Sequence, residues 1–367
     1  MRIGIDAGPI VGGAGGIGAH TTHLLKAMLG LKPDLEVVAY IPSRSLGSVR
    51  RDEWVSFPRL EWKEVGRWDW ASRGARDGLD LFHGPNFKMR TEGRYGGVVT
   101  IHDLWLERHP EYSGKLFGQW WAARRTKRTA WRARRVITVS RFSAREIAAV
   151  YGLPPERIEV IPNGVQAEFW EREDQDTAGH IRARLQLQDT PYILFVGGAD
   201  PRKNHRLFLE AFARRRDDLK PRVPVLVGDP VHRFGNYQAT AKAVALDRDV
   251  VCVGRVGAEE LRYLYRRADM LVFPSLYEGF GIPVLEAMAC GTPVITSTTS
   301  SLPEVAGEAA LLVDPADPEA MGEAMVRLSR DASLRQQLTA KGRERIRQFG
   351  WKEAAARTLA LYASLCA

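Results

Sequence analysis

Glu278 and Glu286, with seven residues between them, sit inside Ser275–Ser297 (SLYEGFGIPVLEAMACGTPVITS). Pro283 stands where a first helical residue belongs and Gly291 where a helix should stop, so Pro283–Cys290 reads as a short helix. The apolar runs Met270–Pro274 and Pro293–Thr296 read as flanking strands. Glu278 then lies in the turn before the helix and Glu286 on its first turns, while Gly279 and Gly281 let the backbone approach a ligand closely. Free amides at a helix start favour an anion, normally a phosphate. Carboxylates facing that phosphate would repel it, so both glutamates are better placed to accept hydrogen bonds from hydroxyls. A ribose on one side of a diphosphate and a hexose on the other suit this arrangement.

Three further stretches carry chemistry-bearing residues. In Val196–Leu207 (VGGADPRKNHRL), Arg202 and Lys203 fall just before a predicted helix, where two cations could neutralise a diphosphate leaving group. His102 and Asp103 end the predicted strand GVVTIHD; proton transfer is open to either, and Asp103 would alternatively orient His102 or bind an acceptor hydroxyl. Gly12–Gly18 (GGAGGIG) contains G-x-G-x-x-G at Gly13, Gly15 and Gly18, which raises a nicotinamide-binding reading. Against it, the first strand ends near Ala7, several residues earlier, and Tyr40, Ile41 and Pro42 stand where the ribose-binding acid is expected. Asn163 and Gly164, in Ile161–Val165, read as a structural turn.

No metal site is expected. Asp174-x-Asp176 lies in a polar linker, Asp247-x-Asp249 precedes its strand, and Cys252, Cys290 and Cys366 lack metal spacing and read as reduced thiols.

The elements that must position these residues alternate strand and helix. In the first half the strands are Arg2–Ala7, Leu35–Ile41, Leu79–His83, Gly97–His102, Val136–Ser140 and Ile158–Ile161, with helical periodicity in His20–Leu29 and Ser143–Tyr151. The second half repeats the scheme with Tyr192–Gly197, Val223–Val227, Val250–Val253, Met270–Phe273, Pro293–Thr296 and Ala310–Val313. Its helices include Asn204–Arg215, Glu259–Arg267 and Pro318–Ser329. The polar stretch Gln166–Thr190 marks a junction, giving an α/β chain of two Rossmann-like domains, residues 1–170 and 186–350, and a terminal amphipathic segment, 351–367. Such domains bind ligands at the C-terminal ends of their strands and would face a central cleft.

A chain of 367 residues, 45% hydrophobic, suits two conventional domains. It holds no apolar run of about eighteen residues, and its start, MRIGIDAG, is already strand-like, so a cytoplasmic protein is expected. The +9 formal charge is uneven: Tyr112–Arg145 has no acid but contains Arg124, Arg125, Lys127, Arg128, Arg132, Arg134 and Arg135. At helical spacing Arg124, Arg128, Arg132 and Arg135 share a face, with Trp120, Trp121 and Trp131 nearby. This suits either an anionic membrane surface, with peripheral attachment at the inner face, or a solvated helix packing its tryptophans into the core. No nucleic-acid-binding module accompanies the charge.

The stretch EGFGIPVLEAMACGTPVI closely resembles the E-x7-E motif of retaining glycosyltransferases of glycosyltransferase family 4. The resemblance covers nearly the whole chain and implies the GT-B fold, with the C-terminal helix crossing back to the N-terminal domain. It further implies transfer of a hexose from a nucleotide-diphosphate sugar to a hydroxyl of a glycan, lipid-linked or small-molecule acceptor, without a metal or other cofactor. By the same resemblance Glu278 binds donor-sugar hydroxyls, with Gly279, Phe280, Gly281 and Ile282 around the donor, and Glu286 binds the ribose. Arg202 and Lys203, in a G-x-x-x-x-R-K-N context, hold the diphosphate. Gly15 and Gly16 cap it, main-chain groups at Val256 seat the base, and His102 lies near the reacting centre. HGPNF (His83–Phe87) and TIHDLW (Thr100–Trp105) look most like bacterial mannosyltransferases of polysaccharide biosynthesis, which points to GDP-mannose with UDP-sugars as the main competitor. An NAD-dependent oxidoreductase and a non-catalytic sugar-nucleotide-binding protein are the alternatives.

Overall fold

The computed structural model describes residues 1–367 except 12–14, 67, 114–115, 167–169, 171–182 and 184–189. Gly12 and Gly13 of the glycine loop, and Asp174 and Asp176, lie outside the described residues. The chain divides into two units: Met1–Gly164 with Phe349–Ala367, and Val165–Gln348.

In the first unit, short runs rich in β-branched residues form seven parallel strands: β1 (Arg2–Asp6), β2 (Glu36–Pro42), β3 (Leu60–Val65), β4 (Leu81–Gly84), β5 (Gly97–Thr100), β6 (Arg135–Thr138) and β7 (Ile158–Val160). Their order is β3-β2-β1-β4-β5-β6-β7, reversing direction of growth between β1 and β4. The central strands β4 and β5 are buried throughout, as a parallel sheet covered on both faces requires. The sequence reading did not anticipate β3. It is an edge strand whose Glu61 and Lys63 form ion pairs with Arg2 and Asp77, so its pattern is too polar to read as a buried strand.

The helix Gly16–Leu31 and the terminal helix Trp351–Cys366 pack on this sheet, with Leu24, Leu25 and Met28 meeting Ala354, Ala355 and Tyr362 in one core. Tyr362 Oη lies 2.5 Å from His83 Nδ1, and His83 Nε2 lies 2.7 Å from Thr100 Oγ1. Both ring nitrogens of His83 are thus engaged with protein, and burial holds its pKa down to about 3.

The second unit has β8 (Tyr192–Val196), β9 (Val223–Val227), β12 (Val251–Gly254), β13 (Met270–Phe273), β14 (Val294–Ser297) and β15 (Ala310–Val313), all parallel, in the order β12-β9-β8-β13-β14-β15. A small antiparallel hairpin, β10 (Val231–His232) and β11 (Gly235–Asn236), was also not anticipated. Phe195, Phe208, Phe212, Val272 and Ile295 lie in the core of the second unit. The strand order again reverses once, between β8 and β13.

The basic helix spans Leu116–Arg132 and stops there: Arg135 opens β6, so it does not share the arginine face predicted for it. The run Arg135–Thr138 is claimed by the sheet, which overrides the helical spacing of the arginines. The tryptophans do not pack into the core either. Trp120, Trp121 and Trp131 are 50%, 60% and 45% exposed, while Thr126 and Ala130 face inward. Among the described residues no helix is long and apolar enough to cross a membrane.

Candidate active site

In an open α/β sheet a ligand crevice forms where the strand order reverses, outside the C-terminal ends of the strands. In the second unit the loops at that point follow β8 and β13, and they carry Arg202, Lys203 and Glu278. Two contacts sew the loops together. Leu276 N donates to the Arg202 carbonyl at 2.8 Å. Asn204, held in the left-handed region at φ 57°, donates through Nδ2 to the carbonyls of Pro274 (3.2 Å) and Pro315 (2.9 Å). Asp200 Oδ1 accepts from Arg202 N at 2.9 Å and shapes the turn Pro201–Lys203.

The result is a buried charge cluster. Lys203 Nζ lies 2.5 Å from Glu278 Oε1, and Arg202 Nη1 lies 3.8 Å from Glu278 Oε2. Burial alone would raise the Glu278 pKa, but Lys203 and Arg202 outweigh it and hold the carboxyl below its ordinary value. Glu278 is 6% exposed, so water screens this cluster little.

The loop from Glu278 to the next helix is fixed from the turn after β14. Ser300 Oγ accepts from Glu278 N at 3.0 Å, and the Ser301 hydroxyl reaches the carbonyls of Glu278 and Phe280, each at 2.9 Å. Gly281 takes φ 102° as N-cap of the helix Ile282–Ala289, a conformation side-chain-bearing residues rarely adopt; a Cβ there would also come within 2.7 Å of Leu302 Cδ2. Gly279, Phe280 and Ile282 line the same turn.

Glu286, on that helix, accepts from Tyr265 Oη at 3.0 Å. Burial raises its pKa to about 7, and the tyrosine bond only partly offsets the rise. Tyr265 belongs to the helix Ala258–Arg267 and stands edge-on to Trp170. Val256 follows β12 and directly precedes the N-cap Gly257 of that helix.

In the first unit Gly15 is the N-cap of the helix Gly16–Leu31 and supplies no side-chain cap; a Cβ at Gly15 or Gly16 would meet nothing within 4 Å. His102 and Asp103 lie just beyond β5 rather than within it. His102 Nε2 lies 2.9 Å from the Pro85 carbonyl, and burial lowers the His102 pKa below the ordinary histidine value. Asp103 Oδ1 accepts from Trp105 N at 3.1 Å, which starts the short helix Trp105–Arg108.

Arg202, Lys203 and Glu278 are therefore brought together. Glu286 is held separately by Tyr265, and His102, Asp103, Gly15 and Gly16 belong to the first unit. The sequence reading missed Asn204, Tyr265, Ser300 and Ser301 as supports. Asn204 stood inside the R-K-N run but was read only as a helix start. Among the described residues no group of three or more His, Cys, Asp or Glu side chains is placed to hold a metal ion, and none of the three cysteines forms a disulfide.

Two family models match in succession: "Glycosyltransferase Family 4" over residues 14–169 and "Glycosyl transferases group 1" over residues 179–345. The chain is 32% identical over 300 residues to the O-antigen chain mannosyltransferase B of Escherichia coli, covering 80% of this chain and 76% of the relative. It is 29% identical over 313 residues to the D-inositol 3-phosphate glycosyltransferase of Streptosporangium roseum, covering 82% and 68%. With the MMP alpha-(1->4)-mannosyltransferase of Mycolicibacterium hassiacum it shares 32% identity over 241 residues, 64% of this chain and 55% of that one. Among solved structures, the sucrose-phosphate synthase of Thermosynechococcus elongatus superposes with a TM-score of 0.79 at 23% identity, covering 99% of this chain and 98% of that one. Anabaena HepE in complex with UDP-glucose gives 0.76 at 17% identity, covering 99% and 100%. Two parallel-sheet Rossmann-like domains, paired family models and a relative above 30% identity along most of its length agree: this chain belongs to glycosyltransferase family 4 and is a glycosyltransferase of GT-B fold.

Proposed function

We propose that this glycosyltransferase moves a mannosyl group, with retention of anomeric configuration, from GDP-mannose to a hydroxyl of a glycan or lipid-linked acceptor. The observation that carries the reading is the convergence of Arg202, Lys203 and Glu278 at the strand reversal of the second unit. Two cations supported by a carboxylate suit a sugar diphosphate: the cations take the phosphate charge, and the carboxylate turns to the sugar hydroxyls. The mannosyl donor is supported by the relatives, two of which are mannosyltransferases by name.

In the proposed reaction the bond from sugar C1 to the β-phosphate oxygen breaks as the acceptor oxygen bonds to C1 on the same face. The acceptor proton passes to the departing phosphate oxygen. Arg202 and Lys203 stabilise the charge that develops on the diphosphate, so turnover should not depend on a divalent cation. Glu286 accepts from a ribose hydroxyl, the base rests on main chain at Val256, and Gly15 and Gly16 offer amides to the diphosphate. His102 and Asp103 recognise hydroxyls from the first unit.

The test is release of nucleoside diphosphate from GDP-mannose and from UDP-glucose, with a mannose-terminated glycan or polyprenyl-linked sugar as acceptor, in EDTA and in magnesium. Release of GDP in EDTA with an α-linked product supports the reading. Release of UDP instead corrects the donor. A melting shift with NAD alone would overturn it.

A lipid-linked acceptor is favoured by one further observation. The helix Leu116–Arg132 turns small residues inward and presents Trp120, Trp121, Arg124, Arg125, Lys127 and Arg128 to solvent, with the Arg124 guanidinium 4.4 Å over the Trp120 ring. Exposed tryptophan beside exposed cations suits the interface of an anionic bilayer.

A further inference from the structure

In the first unit the strand order reverses between β1 and β4, and three segments meet there: the helix Gly16–Leu31 with His20, the turn after β4 with Pro85, and the turn after β5 with His102. The rings of His20 and His102 stand edge to face, 86° apart in plane with centroids 4.7 Å apart. The hydrogen bonds set both tautomers. A carbonyl can only accept, so His102 Nε2, 2.9 Å from the Pro85 oxygen, carries the hydrogen. His20 Nδ1 lies 2.7 Å from Asn163 Oδ1, likewise an acceptor, so Nδ1 carries the hydrogen and Nε2 the lone pair.

His20 is 4% exposed, and its Nε2 has no hydrogen-bond partner among the described residues. Burial first, and the neighbouring His102 second, hold its pKa well below the ordinary value, so the ring is neutral at physiological pH. A buried acceptor without a donor forfeits its hydration, which proteins rarely leave uncompensated. The lone pair repels an anion, and no third metal-ligating side chain of the described residues joins the two histidines. What it suits is an O–H donor. Sugars present several, and the segments that carry His20 and His102 lie at the strand-order reversal, where an α/β sheet binds its ligand.

We propose that His20 Nε2 is a hydroxyl-binding atom of the sugar-transfer site, accepting a hydrogen bond from a hydroxyl of the bound sugar, with Asn163 as the positioning residue that sets its tautomer. The inference rests on the nucleotide-sugar reading above and adds to it a recognition residue on the helix that follows the glycine loop.

The test uses the full chain labelled with 15N in its histidine rings, titrated with GDP-mannose, UDP-glucose, GDP and UDP while long-range 1H–15N spectra are recorded. In the free protein His20 should show a protonated Nδ1 and an unprotonated Nε2. The Nε2 resonance should move when a sugar nucleotide binds and stay in place with the bare nucleoside diphosphate. In parallel, His20→Phe should lower kcat/KM about tenfold, the loss of one hydrogen bond. That difference from the parent should vanish with the deoxy-sugar donor lacking the hydroxyl that His20 holds. If a sugar nucleotide binds and Nε2 does not respond, the His20 assignment is overturned while the transferase reading stands. If neither sugar nucleotide binds, the donor reading falls and the His20 assignment falls with it. Should His20→Phe fail to fold, the spectra of the parent protein still decide.

Discussion

Lys203 Nζ and Glu278 Oε1, seventy-five residues apart in sequence, lie 2.5 Å from each other in a largely buried ion pair. The free protein therefore neutralises the two cations proposed to bind diphosphate, and on that reading an incoming diphosphate competes with Glu278 for them. Glu278→Gln should remove the buried carboxylate that Lys203 and Arg202 share, destabilising the free protein by about 2–4 kcal/mol. The same variant should bind GDP at least as tightly as the parent and show a larger GDP-induced melting shift, while kcat falls about a hundredfold. Because the folded-state pKa of Glu278 is depressed, the stability from this pair is present above the ordinary glutamate pKa and is lost as pH falls through the lower, folded value. Weaker GDP binding by Glu278→Gln would show that the carboxylate does not compete.

Glu286 has the opposite titration. Its pKa is raised from 4.5 to about 7, so between those values the folded protein keeps a proton that the unfolded chain has released. Its contribution to stability therefore falls as pH rises through this window and levels off above it. Glu286→Gln should flatten that slope and raise stability at pH 8, by at most about 3 kcal/mol. It should also weaken nucleoside diphosphate binding about tenfold if the carboxylate accepts a ribose hydroxyl. Melting curves across pH and calorimetric titration separate the two effects, which have opposite signs.

Asn204 acts through its backbone and its amide together. Asn204→Gly keeps access to φ 57° and loses the bonds to Pro274 and Pro315, whereas Asn204→Ala loses both. Both should lower kcat/KM by loosening Lys203. Alanine should be the less stable of the two by about 1 kcal/mol. Equal stability of the variants would mean that the left-handed backbone is not needed.

Replacing Trp120 and Trp121 together by serine should leave melting nearly unchanged, since both are half exposed or more. Sedimentation with vesicles of mixed neutral and anionic lipid should fall sharply for this variant. High salt should release the parent only in part, because the apolar contribution survives screening. Equal sedimentation of variant and parent would remove these tryptophans from membrane contact.

Much of the fold is legible in the amino-acid order because parallel strands covered on both faces demand unbroken apolar runs. Val223–Val227, Met270–Phe273 and Ala310–Val313 take the bounds that pattern predicts. The edge strand Leu60–Val65 escapes the rule because water solvates its exposed charges. Arg135 shows the converse: helical spacing continues through it, yet the sheet claims Arg135–Thr138 and the helix ends at Arg132.

The sequence by itself determined the strand-turn-helix setting of Glu278 and Glu286, the cations before the second unit's first helix, and the family. These are local patterns, and local backbone preferences express them. Tertiary structure alone decided that Lys203 holds Glu278, that Tyr265 holds Glu286, and that Asn163 reaches 143 residues back to His20. Such pairings depend on which strands lie side by side and on how deeply each polar group is buried. Burial also sets the charge states: it raises Glu286 and lowers His20, while two neighbouring cations reverse its effect on Glu278.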